Sequence, residues 1–266
     1  MKTFVLHLLT SQALATGVAH EAWEGPHGTI HLLRVRPAHA ACVRPAVAPL
    51  GRLPLQALAK NGVAAINGGY FDPQTAAPVS WVTLDGRTAS DPTRNRRLMD
   101  NPTLQPYLKP IAARTEWRAL HGPTGWRWQL APHGSETPAG WTLRHALQAG
   151  PRLLPTATLA LEAFVRPGRD PINSQGRSAR SGLGITGAGD LLLVMCAQGQ
   201  PLADFRQSLR QLGCMEAMAL DGGSSSQLAW RDHGGWHVVG AGRPDGGNRG
   251  FLPSLVSAIV VGDGGE

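Results

Sequence analysis

The chain has 266 residues, of which 42% are hydrophobic and 16% are charged. This composition excludes a disordered chain, and the length is enough for a substantial core in one large domain or two small ones. The 33 glycines and 21 prolines are spread along the sequence, which predicts a loop-rich fold with little helix. No apolar run approaches the ~20 residues that a membrane-spanning helix needs, so no transmembrane span is expected.

The net charge of +7 comes almost wholly from arginine, because only three lysines are present. A planar guanidinium suits bidentate recognition of phosphate or carboxylate, so an anionic ligand is expected. The densest cluster, residues 94–97, has no stacking aromatics beside it, which argues against nucleic acid as a partner. The arginine bias of a GC-rich genome explains the composition equally well.

Two interpretations fit residues 1–15. One positive charge, a short apolar run and a small-residue site loosely resemble a secretory signal. His7, Ser11 and Gln12 interrupt the apolar run, which favours an ordinary first strand. The first interpretation predicts a periplasmic or secreted protein and the second a cytoplasmic one. Residues 16–266 are expected to form a single domain.

The first clear elements lie between residues 29 and 66. Residues 29–35 alternate as a half-buried strand does, and residues 38–52 form an Ala/Pro-rich connection. A short helix over residues 54–62 follows, since Pro54 can begin it and Gly62 can end it. The apolar run 63–66 then predicts a buried strand.

This plan of helix, glycine, buried strand, polar residue and paired glycines occurs twice. The first copy ends in Asn67-Gly68-Gly69, and the second, after a helix over residues 202–212 and a strand over 214–220, ends in Asp221-Gly222-Gly223. Two buried strands that each deliver a hydrogen-bonding side chain into a glycine loop are expected to place Asn67 and Asp221 on one rim of a sheet.

The segment 80–144 carries five of the eight tryptophans among prolines and arginines. We predict irregular strands and loops that form a lid or platform over the site. Tryptophans can stack on sugar rings, but they are more often part of a core.

The string Gly182-x-Gly184-x-x-Gly187 matches the dinucleotide-binding fingerprint, but its surroundings do not. The fingerprint needs a strand before it and a helix after it, whereas this string runs into a turn and the apolar strand 191–195. We therefore predict a hairpin. The last core strand is expected within residues 255–261.

Three cysteines leave at least one thiol unpaired, and no Cys/His spacing typical of a metal site occurs. A bridge between Cys196 and Cys214 and two buried free thiols are both compatible with the sequence. No metal or other cofactor is expected.

Four motifs appear in a fixed order. They are Asn67-Gly68-Gly69-Tyr70-Phe71, Gly150-Pro151-Arg152-Leu153, Arg180-Ser181-Gly182-Leu183-Gly184 and Leu220-Asp221-Gly222-Gly223-Ser224-Ser225. Together they resemble the phosphodiester glycosidase family over about residues 55–262, as a bacterial member would. The resemblance implies an α+β fold with a mixed, largely antiparallel β-sheet core and few flanking helices. It also implies hydrolysis of a sugar-1-phosphodiester in a cell-surface or exopolysaccharide-type glycan.

The resemblance carries site residues over to this chain. Asp221, Arg180 and Asn67 are expected to be catalytic. The expected substrate-binding residues are Gly68, Gly69, Arg152, Gly222, Gly223, Ser224 and Ser225. Ser224 stands where the family usually has a third glycine, which adds a Cβ and a hydroxyl beside the expected ligand.

The residue types suit this chemistry independently of the family. Cleavage at the anomeric carbon builds oxocarbenium-like charge on the sugar and releases a phosphate monoester, which needs little protonation. One carboxylate, Asp221, can then stabilise the anomeric centre or activate water, while Arg180, with Arg152, holds the phosphate. Asp72 supplies a second carboxyl if it faces inward.

Three other functional interpretations remain open. A serine hydrolase would use Ser225, although no Gly-x-Ser-x-Gly elbow occurs, and His233 and His237 lie in loop-like sequence. A metal-dependent phosphodiesterase would need a His/Asp cluster that the sequence lacks. A non-catalytic module that binds anionic polysaccharide would use the tryptophans as platforms and tolerate loss of Asp221.

Overall fold

The computed structural model describes residues 4–241 and 252–263, whose regular structure consists of seventeen strands, five α-helices and four short 3-10 helices. In chain order the strands are β1 (His7–Ala15), β2 (Val18–Gly25), β3 (Gly28–Val35), β4 (Val43–Val47), β5 (Ala64–Asn67), β6 (Val82–Leu84), β7 (Arg87–Ser90), β8 (Thr115–Gly122), β9 (Gly125–Pro132), β10 (Thr142–Gln148), β11 (Arg152–Leu154), β12 (Ser178–Thr186), β13 (Leu191–Gln200), β14 (Cys214–Ala219), β15 (Gln227–Asp232), β16 (Gly235–Gly240) and β17 (Ser257–Val261). The helices are α1 (Leu55–Leu58), α2 (Arg96–Met99), α3 (Leu108–Ala112), α4 (Leu159–Glu162) and α5 (Leu202–Gln211).

The strands form three sheets. Sheet I has the order β1-β2-β3-β13-β12-β14-β11, sheet II has β7-β6-β10-β8-β9, and sheet III has β16-β15-β5-β17-β4. Every pairing among the described strands is antiparallel. The predicted α+β fold, with a largely antiparallel core and few helices, is confirmed. No helix in the described ranges is long and apolar enough to cross a membrane.

Strand β13 shows why an unbroken apolar run lies at the centre of sheet I. Its odd-numbered residues, such as Leu193, face the main core between the sheets, and its even-numbered residues, such as Val194, face the layer under α5. A strand that is covered on both faces has no solvent side, so it needs no polar alternation.

A glycine of β12 allows α5 to pack closely on sheet I. β12 and β13 form an antiparallel hairpin, which confirms the prediction and leaves no dinucleotide-binding turn. A Cβ on Gly182 would lie 2.8 Å from a ring carbon of Phe205, a buried residue of α5. The glycine therefore lets the helix approach the sheet closely.

The segment that was predicted to form a lid or platform instead contributes the strands of sheet II. The five strands of sheet II lie within residues 82–148, and they bury Trp117 and Trp128, whose rings pack 5.8 Å apart between centroids. The prediction of irregular loops over the site is wrong, because apolar alternation on β8 and β9 builds a sheet whose tryptophans belong to the core. The connection expected at residues 38–52 likewise contains β4, an edge strand of sheet III.

Cys196 and Cys214 are buried free thiols, so the second of the two open alternatives is correct. They lie on β13 and β14, which flank β12 on opposite sides. Two strand spacings alone amount to roughly 9–10 Å, which already exceeds the Cα separation that a disulfide spans, and their partners on β12, Arg180 and Thr186, lie further apart along the strand. At the other edge of sheet I, the segment His7–Ala15 is an ordinary strand paired with β2.

A stack of histidine and tryptophan rings joins sheet I to sheet III. The His20 ring lies 3.8 Å from that of Trp230, and its Nε2 is 3.1 Å from Nδ1 of His31. The His237 ring is also stacked against Trp230, with 5.3 Å between centroids. Burial, reinforced by repulsion from His31 and His237, lowers the pKa of His20 to about 3, so this side chain is neutral in the folded protein at neutral pH.

Candidate active site

A cavity of about 480 Å³ opens where the ends of β12 and β14 meet the segment that follows β5. Among the described residues, its charged lining side chains are Asp221, Arg114 and Arg180. Much of the remaining wall is apolar, with Phe164 and Ile172 among its members. One carboxylate and two guanidinium groups therefore face a largely apolar space, where charge interactions are stronger than in water.

The backbone of Asp221 is fixed by hydrogen bonds to sheet I and to residues at the end of β5 in sheet III. Its amide donates to the carbonyl of Gly68 at 3.1 Å. Its carbonyl accepts from Nδ2 of Asn67 at 2.8 Å and from the hydroxyl of Ser181 at 2.9 Å. Three hydrogen bonds therefore fix the backbone from which the carboxylate projects.

The carboxyl of Asp221 has a pKa that is raised toward neutral pH. Burial raises its pKa from 3.8 to about 6, against the opposing effects of hydrogen bonds from the Ser225 hydroxyl and the Gly222 amide and of the charge of Arg114. A carboxylate with a pKa near the working pH can both carry charge and accept a proton, which are the properties of a general base or an electrostatic stabiliser.

Asn67 meets Asp221 but belongs to a different sheet. Asn67 ends β5 of sheet III, whereas Asp221 follows β14 of sheet I, so the expectation of one shared rim is wrong. The Asn67 side chain is fully buried and bridges the sheets. Its Oδ1 accepts from the amide of Gln227 on sheet III at 3.0 Å, and its Nδ2 donates to the carbonyl of Asp221 after β14 of sheet I. It lies behind Asp221 and not in the cavity wall.

Arg180 lines the cavity, but most of its donors are engaged with the protein. Nε donates to the carbonyl of Gln200 at 2.9 Å, and Nη1 donates to that of Ile172 at 3.1 Å. Nη2 donates to the carbonyls of Asn173 and Gly176 at 2.6 and 3.1 Å. Three of these hydrogen bonds tie the loop 172–176 to β12, and the fourth joins β12 to the end of β13.

Arg114 was not expected from the sequence. It precedes β8, and its Nε donates to the carbonyl of Glu162 at 2.8 Å. Its guanidinium lies over the rings of Tyr70 and Phe164, 4.8 and 5.4 Å from their centroids. No local motif marks this arginine, because the rings and the carbonyl that hold it come from distant parts of the chain.

The four loop glycines divide into two pairs. A Cβ on Gly68 would lie 2.4 Å from Oγ of Ser257, and one on Gly69 would lie 2.3 Å from the carbonyl of Gln148. These two glycines permit close backbone packing and lie outside the cavity wall, whereas Gly222 and Gly223 line the cavity. Gly223 has φ +62, a conformation that glycine adopts without strain.

The other expected binding residues lie outside the cavity wall. Ser225 is buried and hydrogen-bonds Asp221, while Ser224 is exposed. The guanidinium of Arg152 turns away, with its Nη1 3.5 Å from Oε2 of Glu216. Asp72 does not face inward, because it accepts from the amide of Gln74 and pairs with Arg97, both at 2.8 Å.

The histidines are also distant from this chemistry. Among the described residues, no histidine lines the cavity. His237 lies 2.9 Å from the carboxylate of Asp232, on sheet III. The described ranges contain no group of three or more His, Cys, Asp or Glu side chains that could hold a metal ion.

Comparison with known proteins agrees with the motifs. The model of the phosphodiester glycosidase family matches residues 60–261. No curated protein matches the chain. The zebrafish N-acetylglucosamine-1-phosphodiester alpha-N-acetylglucosaminidase catalytic domain, auto-inhibited by its pro-peptide, has a TM-score of 0.67 and 15% identity, covering 98% of this chain and 83% of that one.

Two further solved structures share the fold. A hypothetical protein from Synechocystis has a TM-score of 0.63 and 17% identity, covering 96% of this chain, which spans 63% of that protein. A protein from Burkholderia pseudomallei that is described as exported has a TM-score of 0.56 and 15% identity, covering 93% of this chain and 76% of that one.

Proposed function

Because the chain belongs to the phosphodiester glycosidase family, we propose that it is a hydrolase that cleaves the glycosidic bond of a sugar-1-phosphodiester in a cell-surface or exopolysaccharide-type glycan. The observation that carries this proposal is the cavity at Asp221. There, a carboxylate with a pKa of about 6 lies in a partly apolar space that two arginines also line.

The proposed reaction takes place at carbon. Water attacks the anomeric carbon, the bond from that carbon to the phosphate oxygen breaks, and its electron pair leaves with the phosphate. Asp221 stabilises the positive charge that develops on the sugar or takes the proton of the attacking water. The released phosphate monoester is a good leaving group, so no second carboxyl and no cofactor is needed.

The other site residues have supporting duties in this proposal. Arg180 adds positive charge to the cavity wall, which favours an anionic substrate. Asn67 orients Asp221 through its backbone carbonyl. Gly223 also lies in the cavity wall, where its amide is suited to orient a sugar hydroxyl. An extracytoplasmic location suits such a substrate, and one structural neighbour is described as exported.

Product analysis tests this proposal. The protein is incubated with a panel of sugar-1-phosphodiesters, and the products are scored for free sugar and for sugar 1-phosphate. Free sugar together with a phosphomonoester supports attack at carbon. Sugar 1-phosphate would move the reaction to phosphorus, and no release of either product with any member of the panel would refute the hydrolase.

A further inference from the structure

Two arginines line the cavity, and the structure gives them different amounts of freedom to bind a ligand. Arg180 makes four hydrogen bonds to backbone carbonyls. Since a guanidinium has five N–H donors, it cannot also offer a phosphate two parallel hydrogen bonds without losing contacts that hold the loop 172–176.

Arg114 has the opposite arrangement. Only its Nε is held, by the carbonyl of Glu162, and no hydrogen bond joins its terminal nitrogens to any residue in the described ranges. The rings of Tyr70 and Phe164 fix the plane of the guanidinium by cation–π contact. The result is a cation that is oriented by its stem and its faces while its outer edge stays available.

The nearest acidic side chains do not neutralise this cation directly. The carboxylate of Glu162 accepts hydrogen bonds from Thr115 and Thr158 at 2.8–2.9 Å. No ion pair of Arg114 within 4.0 Å occurs in the part of the chain that the structure describes. Burial lowers the pKa of Arg114, and electrostatic interactions with Tyr70, Glu162 and Asp221 partly offset this lowering. A partly buried cation with no acidic side chain in contact, within the described ranges, favours an anionic ligand.

We infer that Arg114 binds the phosphate of the substrate through its two terminal nitrogens, while Arg180 is a positioning residue that holds the cavity wall in place. This inference rests on the proposed function. When the glycosidic bond breaks, the phosphate changes from a diester with one negative charge to a monoester that gains a second. A fixed guanidinium stabilises that gain more in the transition state than in the bound substrate.

The test compares Arg114→Met with Arg114→Lys. Methionine keeps an apolar stem between the two rings and removes the charge, whereas lysine keeps the charge but not the planar pair of donors. Arg96→Met is the matched control, because Arg96 is exposed, pairs with Asp100 and is not a lining residue of the cavity. All proteins are compared by circular dichroism before assay.

Three readouts separate phosphate binding from general damage. The first is kcat/KM for the sugar-1-phosphodiester, which Arg114→Met should lower by about 10²–10³-fold and Arg114→Lys by roughly tenfold. The second is turnover of the neutral 4-nitrophenyl glycoside of the same sugar, which should change less than about threefold. The third is the Kd for inorganic phosphate, which should rise by about tenfold or more in Arg114→Met.

Phosphodiester turnover and phosphate affinity within about twofold of wild type in Arg114→Met would overturn the inference. If that variant does not fold, Arg114→Lys decides, since an unchanged Kd for phosphate would overturn the inference and a weaker one would support it. A wild-type protein that cleaves no glycoside would refute the proposed function, yet loss of phosphate binding in Arg114→Met would still support the role of Arg114.

Arg180→Lys tests the second half of the inference. Lysine cannot reach four carbonyls at once, so the unfolding midpoint should fall and turnover of the neutral and the phosphorylated substrate should fall together. A loss confined to the phosphorylated substrate, with an unchanged unfolding midpoint, would instead make Arg180 the phosphate-binding residue.

Discussion

Replacing Asp221 by Asn should abolish hydrolysis and at the same time stabilise the protein. Asparagine keeps the size of the side chain and one acceptor for the Ser225 hydroxyl and the Gly222 amide, but it removes the charge. The charge is unfavourable for folding, because burial raises the pKa of Asp221 to about 6. The residue that the proposed reaction needs is therefore one that the fold would be better without.

The sign and size of the effect follow from this pKa. The folded protein holds the Asp221 proton more tightly than the unfolded chain, so its contribution to stability is complete below about pH 3.8 and is lost as the pH rises through about 6. Each pKa unit corresponds to about 1.36 kcal/mol, which gives an upper value of about 3 kcal/mol above pH 7. The Asn variant should show little of this gain near pH 4.

Urea unfolding of wild type and Asp221→Asn at pH 4 and pH 8 measures the difference, beside a turnover assay at pH 8. The gain in unfolding free energy should be larger at pH 8 than at pH 4. Asp72→Asn is the matched control, because hydrogen bonds from Gln74 and Arg97 lower the pKa of Asp72 and the sign reverses. A pH-independent difference for Asp221→Asn, or turnover like that of wild type, would refute the reasoning.

Four further substitutions test glycine packing, the buried His20 and the role of Ser224. Gly69→Ala should destabilise the protein by about 1–3 kcal/mol in urea, because its Cβ would lie 2.3 Å from the carbonyl of Gln148, whereas Gly222→Ala, whose nearest contact is 3.7 Å, should change stability by less than about 0.5 kcal/mol. Because the pKa of His20 is lowered to about 3, the unfolding free energy of wild type should fall by an amount on the order of 4 kcal/mol between pH 6.5 and pH 3 from this residue alone. His20→Phe should make the unfolding free energy depend less on pH in this range, and an unchanged pH dependence would contradict a neutral His20. Ser224→Gly should leave kcat/KM within about twofold, because Ser224 is exposed and outside the cavity wall, and a tenfold change would give that position a role in substrate choice.

The sequence was sufficient where a local pattern has one structural solution. An apolar run that ends on a polar residue and two glycines predicted both β5 and β14 and located Asp221 at a strand end. Period and capping residues predicted α5, and the turn before residue 191 predicted the β12–β13 hairpin. In each case the burial pattern and the turn chemistry agree, so few alternatives survive.

The sequence was insufficient where contacts join distant segments. Nothing local distinguishes the tryptophans of a lid from those of sheet II, since both read as aromatics among loop residues. The contrast between Arg180 and Arg114 is of the same kind. Whether an arginine donates to backbone carbonyls or keeps its outer nitrogens available depends on which segments pack against it, and four of the groups that hold Arg180 are carbonyls, which carry no side-chain signal.

The junction of sheets I and III explains how a buried carboxylate keeps its position. A group whose charge is disfavoured by burial gains free energy by moving toward water, so a freely hinged Asp221 would leave the cavity. Its amide and its carbonyl are instead bonded to Gly68 and Asn67 of sheet III and to Ser181 of sheet I. Moving the backbone of Asp221 therefore means separating the two sheets, which the packing of the main core between them opposes, while Ser225 and the Gly222 amide hold the carboxylate itself. The same hydrogen bonds thus hold the fold together and hold the candidate catalytic group in an unfavourable environment.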